Sequence, residues 1–464
     1  MTESSHHEKI ELLTLSEVTN VKGFVGNFDV TIKSRPRSVD MAKCTGCGEC
    51  LAKCPSKAPS ETSMGLGQRR AIYKPFSQAV PNVPVIDREH CTYFLKGKCR
   101  VCEKICPAGA IDYGQEETIR TEKFGAIVVA TGFSLFDITP YGEYGAGAYK
   151  DVITGLQLER MLDPNGPTGG HLVRPSDGRE AKNIVFVQCV GSRDETKGMA
   201  YCSKVCCMYT AKQAILLKDH FPETRSTVFY IDIRATGKNY EEFIRRAQRE
   251  YGVSYIRGRV SRIDDLGDKL LVYGADTLLG EPVRVEADLV VLATAMVANP
   301  DAKELGRMLN IPYDGYGFYT EVHPKLQPVE SLTKGIFIAG ACTFPKDIPD
   351  SVMMASAAAA KTCSLFSADE LTLEPKLADV DAEKCTGCFN CIAVCPFDAI
   401  QKDTHEGRAV ARVIKTLCQG CGNCVSACRL GAVDVKGFTD ESLYAQITAA
   451  LAGGEEEEDK YAAG

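Results

Sequence analysis

The 464-residue chain lacks the features of several large protein classes. No apolar run approaches the roughly 20 residues that a membrane-spanning helix needs. Residues Met1 to Lys9 are too polar to contain the apolar stretch of a signal peptide. Excess positive charge is also missing, since the net charge is −7, so we expect neither nucleic acid nor an anionic membrane as a partner. No Ser/His/Asp set or acid–base pair is evident, and we predict no catalytic side chain.

Cysteine, by contrast, is abundant, with 22 copies. A disulfide scaffold would be small and secreted, whereas this chain is large and shows no export signal. Metal binding or redox chemistry in a reducing cytoplasm is the better explanation. The cysteines form three groups, between Cys44 and Cys106, between Cys189 and Cys207, and between Cys385 and Cys428. Cys342 and Cys363 stand apart, and we expect them to be core residues.

The last group contains the C-x2-C-x2-C-x3-C spacing of bacterial ferredoxins twice. In such runs three cysteines bind one [4Fe–4S] cluster, and the fourth binds the other cluster of the pair. The spacing therefore predicts two crossed ligand sets: Cys385, Cys388, Cys391 and Cys428, and Cys418, Cys421, Cys424 and Cys395. Gly387 and Gly420 are expected to adopt positive φ, so that backbone N–H groups turn toward the sulfurs.

The first group contains one regular run and one variant. The regular run begins at Cys44 and ends at Cys54-Pro55, with Gly46 in the turn, whereas the variant has seven residues between Cys91 and Cys99. The crossed sets are then Cys44, Cys47, Cys50 and Cys106, and Cys91, Cys99, Cys102 and Cys54. Structural zinc is the alternative, but zinc sites usually pair two C-x2-C knuckles across a spacer. Runs of four cysteines within eleven residues favour iron–sulfur clusters.

The middle group has a different spacing, Cys189-x12-Cys202-x3-Cys206-Cys207. Cys189 ends a predicted strand, and the other three lie at the start of the next predicted helix. The G-x-G-x-x-G of a dinucleotide-binding turn is missing, which argues against a nicotinamide dinucleotide here. A helix N-terminus stabilises thiolates, so four converging thiols would be able to hold another [4Fe–4S] cluster. Buried free cysteines, common in protein cores, are the alternative.

The remaining sequence predicts alternating strands and helices around a mostly parallel sheet. The predicted strands are 10–15, 28–33, 125–133 (GAIVVATGF, fully buried), 184–188, 227–233, 289–293 and 335–339. A helix is predicted at 203–220, and another opens at Asp350 and extends to Phe366. Residues 367–381 are expected to be a linker, and the acidic residues Glu455–Asp459 a disordered end. The first cysteine group is predicted to be an insertion between strands of one larger domain.

Several segments are specific enough to indicate a family. They are GPTGGHLVRPSDG at 166–178, VQCVGSRD at 187–194, YCSKVCCMY at 201–209, VFYIDIRATGK at 228–238 and PKDIPDSV at 345–352. With the ferredoxin-type insert before GAIVVATGF and the terminal ferredoxin block, they resemble the A subunit of heterodisulfide reductase, an iron–sulfur flavoprotein. The resemblance covers essentially the whole chain. Subunits of quinone-interacting membrane-linked oxidoreductases share parts of it and are an alternative.

The resemblance implies an α/β fold. A partial thioredoxin-reductase-like FAD domain, a parallel sheet with helices, would carry one inserted and one C-terminal α+β bacterial-type 2[4Fe–4S] ferredoxin domain. The implied limits are 1–38 and 116–370 for the flavoprotein-like domain, 39–115 and 371–437 for the ferredoxin-like domains, and 438–464 for a helix and acidic tail. FAD would lie near Ala130, Thr131, Gly132, Gly340, Asp350 and Ser351. Strand-end turns are the alternative role of the two glycines, and helix capping is that of Asp350.

One part of the family pattern is absent, because the 464 residues contain no G-x-G-x-x-G to bind the FAD pyrophosphate. We expect a separate polypeptide to supply it, or a reading frame that starts before Met1. In this family a cysteine shortly upstream of the region is sometimes selenocysteine, whose stop codon would explain a late start.

The implied function is electron transfer through [4Fe–4S] clusters to and from FAD, in flavin-based electron bifurcation. The implied cofactors are four clusters, a fifth if the middle cysteine group binds one, and FAD at a partial site. The implied partners are other heterodisulfide reductase subunits, a hydrogenase or formate dehydrogenase module, and ferredoxin. A polyferredoxin-like electron carrier or binding module without flavin is the alternative.

Overall fold

The computed structural model describes residues 2–5, 7–367, 370 and 376–461. Within them the strands, in chain order, are β1 (Ser16–Phe24), β2 (Asn27–Ser34), β3 (Lys57–Pro59), β4 (Gln68–Arg70), β5 (Ile72–Tyr73), β6 (Val85–Ile86), β7 (Thr118–Phe124), β8 (Ile127–Val129), β9 (Ser134–Leu135), β10 (Val152–Thr154), β11 (Asn183–Val190), β12 (Arg225–Tyr230), β13 (Ser254–Arg257), β14 (Val260–Asp265), β15 (Leu270–Asp276), β16 (Glu281–Ala287), β17 (Leu289–Thr294), β18 (Met296–Val297), β19 (Ile336–Ile338), β20 (Ala378–Val380), β21 (Ile400–His405), β22 (Arg408–Val413) and β23 (Val433–Val435).

The helices of the same residues are α1 (Thr2–Ser5), α2 (Glu49–Lys53), α3 (Thr92–Lys96), α4 (Val101–Ile105), α5 (Gly155–Leu162), α6 (Cys206–His220), α7 (Tyr240–Arg249), α8 (Ala302–Leu309), α9 (Ile348–Leu365), α10 (Asn390–Ala393), α11 (Asn423–Ala427) and α12 (Asp440–Tyr461). No helix of the described residues is both long and apolar enough to cross a membrane.

A five-stranded parallel sheet, in the order β10-β17-β11-β12-β13, forms the centre of the molecule. Its strands are almost continuously apolar because both faces are covered. On β11, Ile184 and Phe186 pack against α5, α6 and α7, whereas Val185 and Val187 face the antiparallel sheet β14-β15-β16. The prediction of a parallel sheet is confirmed, but helices flank only one of its faces.

The N-terminal strands form a three-stranded antiparallel sheet, β1-β2-β7. The predicted strand at 10–15 is wrong, because the first strand begins at Ser16 after Leu15 takes a left-handed φ of 56°. Ile10 is 48% exposed, so those apolar residues do not enter the core. Asp29 of β2 pairs with Lys123 of β7. The whole first cysteine group therefore lies between two strands that are neighbours in space.

Strands β8 and β19 run parallel, with Val128 opposite Phe337, and α9 follows β19 in the chain. The predicted full burial of GAIVVATGF is wrong for Val128, which is 45% exposed. Helix α9 begins at Ile348 rather than at Asp350. Asp347 is its N-cap, because the Asp347 carboxylate accepts the N–H of Asp350 at 2.9 Å. The predicted start of helix α6 is also displaced, in the other direction: the helix begins at Cys206, three residues later than predicted.

The C-terminal cysteine group packs against two antiparallel strand pairs, β20-β23 and β21-β22. The predicted linker at 367–381 ends earlier than expected, because β20 begins at Ala378. Of its residues, 368–369 and 371–375 lie outside the described part of the chain. Residues 455–459 continue the backbone of α12, so the expected disordered end is helical.

A buried ion pair joins three segments of the central domain. Arg174 donates to the carboxylate of Asp151 through Nε at 3.0 Å and Nη2 at 2.8 Å. Their side chains are 3% and 5% exposed. Asp151 also accepts the N–H and hydroxyl of Ser176, and Arg174 donates to the carbonyl of Gly267. The pair thus ties β10 to the turn between β14 and β15.

Replacing Arg174 by Met should lower the free energy of unfolding by about 3–5 kcal/mol, because the Asp151 carboxylate would remain buried without its cation. Urea unfolding of the anaerobically purified protein measures the change. The matched control is Arg179→Met, since Arg179 is 62% exposed in its pair with Asp177 and should change stability by less than about 1 kcal/mol. Equal effects of the two substitutions would contradict the role assigned to the buried pair.

Candidate cluster-binding sites

The C-terminal cysteines approach one another in the crossed arrangement. Cys395, from the first run, lines one concavity with the second run's Cys418, Cys421 and Cys424. Cys385 and Cys388 are the charged neighbours of Cys391. Three thiols from one run and one from the other thus meet, as an interlocked cluster pair requires.

The first cysteine group has the same arrangement. Cys106 lines one concavity with Cys44, Cys47 and Cys50. Cys54 and Cys91 are close enough to Cys102 to act on its charge. The remaining predicted ligand, Cys99, is exposed and has a φ of 114° at the end of the seven-residue insertion.

The turns within the runs show why glycine stands before the second cysteine. Gly46, Gly387 and Gly420 have φ of 73°, 69° and 68°, which confirms the predicted left-handed backbone. A Cβ would lie 2.6 Å from the carbonyl oxygen of Asn82 at Gly46 and 2.2 Å from that of Lys376 at Gly420. No side chain fits at either position.

Backbone N–H groups point at the thiol sulfurs in a repeated pattern. In each of the four runs, the residue four positions after the last cysteine is alanine, and in three of them its N–H donates to that cysteine's Sγ. The distance is 3.3 Å in each pair: Ala110 to Cys106, Ala399 to Cys395 and Ala432 to Cys428. Such donors stabilise thiolate and cluster charge.

Burial and mutual repulsion oppose ionisation of these thiols when no cation is present. The pKa of Cys50 is raised to about 11, first by burial and then by the charge of Cys102. The pKa of Cys424 is also raised to about 11, by burial and then by Cys418. Several thiols in so small a space are held as thiolates only if a positive group lies between them. This donor set fits the iron of a cluster.

The middle cysteine group also converges. Cys189 lies at the end of β11, and Cys206 and Cys207 open α6. The Cys206 thiol is hydrogen-bonded to both Cys189 and Cys207, and this contact lowers the pKa of Cys207 to about 7. Cys202 precedes the helix, and its Sγ accepts the N–H of Lys204 at 3.3 Å. All four predicted residues thus surround one small volume.

Two lone cysteines have different surroundings. Cys342 is buried, as expected, and its Sγ lies 3.2 Å from the carbonyl of Ala339. Cys363, also expected in the core, is exposed on α9, so that prediction is wrong.

The six predicted flavin contacts gather near one edge of the β8-β19 pair. Gly132 and Gly340 follow the parallel strands with φ of 74° and 76°. A Cβ on Gly340 would lie 3.9 Å from that of Ser351. Ala130 and Thr131 follow β8 directly, and Thr131 lines a cavity of about 710 Å³ with Ser134, Asn299 and Tyr319. The other five predicted contacts do not line this cavity.

Two side chains near these groups were not among the residues predicted from the cysteine spacing. The Tyr113 hydroxyl lies 3.0 Å from the Sγ of Cys102. Lys204, between Cys202 and Cys206, forms ion pairs with Asp347 and Asp350 at the start of α9. Asp350 is thereby paired with the middle cysteine group. Aligning the four runs by their last cysteine would have drawn attention to Tyr113, and nothing in the sequence marks Lys204.

Comparisons with known proteins agree with the cysteine geometry. Residues 378–429 match the 4Fe–4S dicluster domain family, and residues 37–60 match the 4Fe–4S binding domain family. A thioredoxin reductase structure from T. acidophilum covers 66% of this chain and 87% of its own length at 14% identity, with a TM-score of 0.34. A score this low does not assign the fold.

Curated relatives are similar along nearly the whole chain. The iron-sulfur A subunit of the CoB–CoM heterodisulfide reductase of Methanocaldococcus jannaschii is 48% identical over 97% of this chain and 68% of its own length. The A subunit of the H(2):CoB-CoM heterodisulfide,ferredoxin reductase of Methanothermobacter thermautotrophicus is 45% identical over 97% and 67%. A Methanococcus maripaludis relative, the A subunit of the H(2)/formate:CoB-CoM heterodisulfide,ferredoxin reductase, is 46% identical over 97% and 68%. The chain therefore belongs to the family of heterodisulfide reductase A subunits, the iron–sulfur electron-transfer subunits of that oxidoreductase type.

Proposed function

We propose that this chain passes electrons through five [4Fe–4S] clusters to and from FAD, as part of a bifurcating heterodisulfide reductase complex in the cytoplasm. Four clusters would lie in ferredoxin-like domains at 39–115 and 371–437, and the fifth on Cys189, Cys202, Cys206 and Cys207. The convergence of cysteines from separate runs carries the proposal. When bound, the clusters supply one-electron transfer and FAD couples it to two-electron chemistry.

The protein's part in this function is to hold the cofactors and to tune them. Backbone donors such as Ala399 and Ala432 would stabilise added negative charge on the cysteine sulfurs. The crossed runs place two ligand sets within one small core, and short separation favours transfer between them. Cys50 of one set and Cys102 of the other, for example, are both in the same buried cluster of side chains.

The FAD site would lie at the edge formed by the residues that follow β8 and β19. Gly132 and Gly340 give a backbone without side chains there, and the cavity lined by Thr131 and Asn299 adjoins it. The pyrophosphate fingerprint would come from a polypeptide beyond these 464 residues. Lys204, paired with Asp350, would link this edge to the middle cysteine group.

The names of the relatives support a set of partners for this chain. Those names pair heterodisulfide with ferredoxin, with H(2), and with H(2)/formate. We infer that this chain docks to the other heterodisulfide reductase subunits, to ferredoxin, and to a hydrogenase or formate dehydrogenase module.

Iron content tests the number of clusters. Anaerobically purified protein should contain about 20 iron atoms and as many acid-labile sulfides, and the Cys206→Ser/Cys207→Ser double variant about 16. The control is Cys363→Ser, because Cys363 is an exposed cysteine outside all three groups, and it should keep the full content. About 16 iron atoms in both the wild type and the double variant would leave the middle group as free thiols. Zinc without iron would overturn the proposal entirely.

Flavin content tests the FAD edge. In the anaerobically purified complex, Gly340→Val should lose FAD and keep its iron, because φ is 76° and the new side chain would face Ser351. The matched control is Gly407→Val, which has a φ of 77° in the β21-β22 hairpin and open space around it. Absorbance of released flavin measures the result. Full FAD in Gly340→Val would rule out FAD binding at this edge, and no FAD in the wild type would favour a polyferredoxin-like carrier without flavin.

A further inference from the structure

The insertion between Cys91 and Cys99 builds an aromatic layer around one cysteine group. It contains α3, whose Tyr93 and Phe94 pack against Tyr113. The ring centroids of Tyr93 and Tyr113 are 4.0 Å apart, and those of Phe94 and Tyr113 are 5.7 Å apart. These contacts fix the Tyr113 ring, so that its hydroxyl lies 3.0 Å from the Sγ of Cys102.

This hydroxyl becomes a donor once Cys102 is a cluster ligand. A thiolate sulfur has no proton and accepts only, so the hydrogen bond must run from Tyr113 to the sulfur. Hydrogen bonds to charged acceptors are roughly twice as strong as those between neutral groups. Reduction adds negative charge to the cluster and its ligands, and such a donor therefore favours the reduced form.

The four cysteine runs serve as internal controls. Counting seven residues beyond the last cysteine of each run gives Tyr113 after Cys106, whereas the other three runs have Glu61, Lys402 and Val435. Lys402 lies over the ring of Phe389, and Val435 is buried among apolar side chains. Among the described hydrogen bonds of the two ferredoxin blocks, no other cysteine Sγ is paired with a side-chain hydroxyl.

A positively charged side chain, that of Arg100, lies near the ring of Tyr113. Arg100 has a left-handed φ of 61° where two other runs have Gly48 and Gly422, with φ of 83° and 80°. Its guanidinium lies 5.6 Å from the centroid of Tyr93 and 5.7 Å from that of Tyr113. A side chain in this backbone conformation is unfavourable. The guanidinium also forms an ion pair with Glu103, with Nε 2.7 Å from Oε2, so its effect on the cysteine group is smaller than that of the hydroxyl.

We propose that the Tyr113 hydroxyl, with a smaller contribution from Arg100, raises the reduction potential of one cluster, the one bound by Cys54, Cys91, Cys99 and Cys102. This cluster would then hold an electron more readily than it would without the hydroxyl. The inference depends on the cluster ligation proposed above. Tyr113 is a positioning and tuning residue, since it contacts the cluster only through Cys102.

A redox titration followed by electron paramagnetic resonance tests the proposal. Dithionite would be the reductant, with mediator dyes, on the anaerobically purified full chain. Tyr113→Phe should lower the equilibrium constant for reduction of one cluster by about tenfold, which is 59 mV for a one-electron couple, and leave the others unchanged. Arg100→Gly should shift the same signal less, and the shift should shrink at high salt.

The control is Tyr93→Phe, which keeps the ring stack and removes a hydroxyl that makes no described contact with a cysteine sulfur. It should leave all midpoint potentials unchanged. Iron content is measured on every variant. Full iron with no shift in Tyr113→Phe would overturn the tuning role while leaving the cluster assignment intact. An equal shift in Tyr93→Phe, or equal shifts of several cluster signals in Tyr113→Phe, would also overturn it. Wild-type protein without iron would instead remove the proposed function itself.

Discussion

The structure depends on one electrostatic constraint, the crowding of cysteine thiols into small, partly buried volumes. Burial, with the charge of neighbouring thiols, raises the pKa of Cys50 and Cys424 to about 11, so thiolates at these positions need a cationic centre among them. Backbone N–H groups aimed at the sulfurs supply part of the compensation. The rest of the compensating positive charge must come from the metal. The ferredoxin-like domains therefore enclose the positions where the metal would bind.

The parallel sheet provides a rigid support for these groups. Its strands are buried on both faces, by α5, α6 and α7 on one side and by the β14-β15-β16 sheet on the other. Cys189 lies at the end of one strand and Cys206 at the start of the following helix. A strand end next to a helix N-terminus is where α/β folds commonly bind ligands. Here thiols occupy the place of the glycines that would hold a pyrophosphate.

Departures from the regular cysteine spacing give one cysteine group side-chain contacts that the others lack among the described residues. The seven residues between Cys91 and Cys99 form a short helix with two aromatic side chains, and Arg100 follows in a backbone conformation that favours glycine. These features surround Tyr113, whose hydroxyl lies 3.0 Å from the Sγ of Cys102. The C-terminal runs, which keep the regular spacing, have only backbone donors at their sulfurs among the described residues.

The sequence by itself determined the number, type and grouping of the cysteines, the left-handed turns at Gly46, Gly387 and Gly420, and three of the five strands of the parallel sheet, β11, β12 and β17. These depend on local spacing and on runs of apolar residues, which the order of residues contains directly. It misplaced the start of α9, although the Asp347 cap is local in sequence. It also misplaced the first strand and the surroundings of Cys363, because the exposure of a strand or helix face is decided by neighbours in space. Only the tertiary structure brought Tyr113 to Cys102 and Lys204 to Asp350, since the second of these contacts joins residues 146 positions apart and neither Tyr113 nor Lys204 is a predicted ligand.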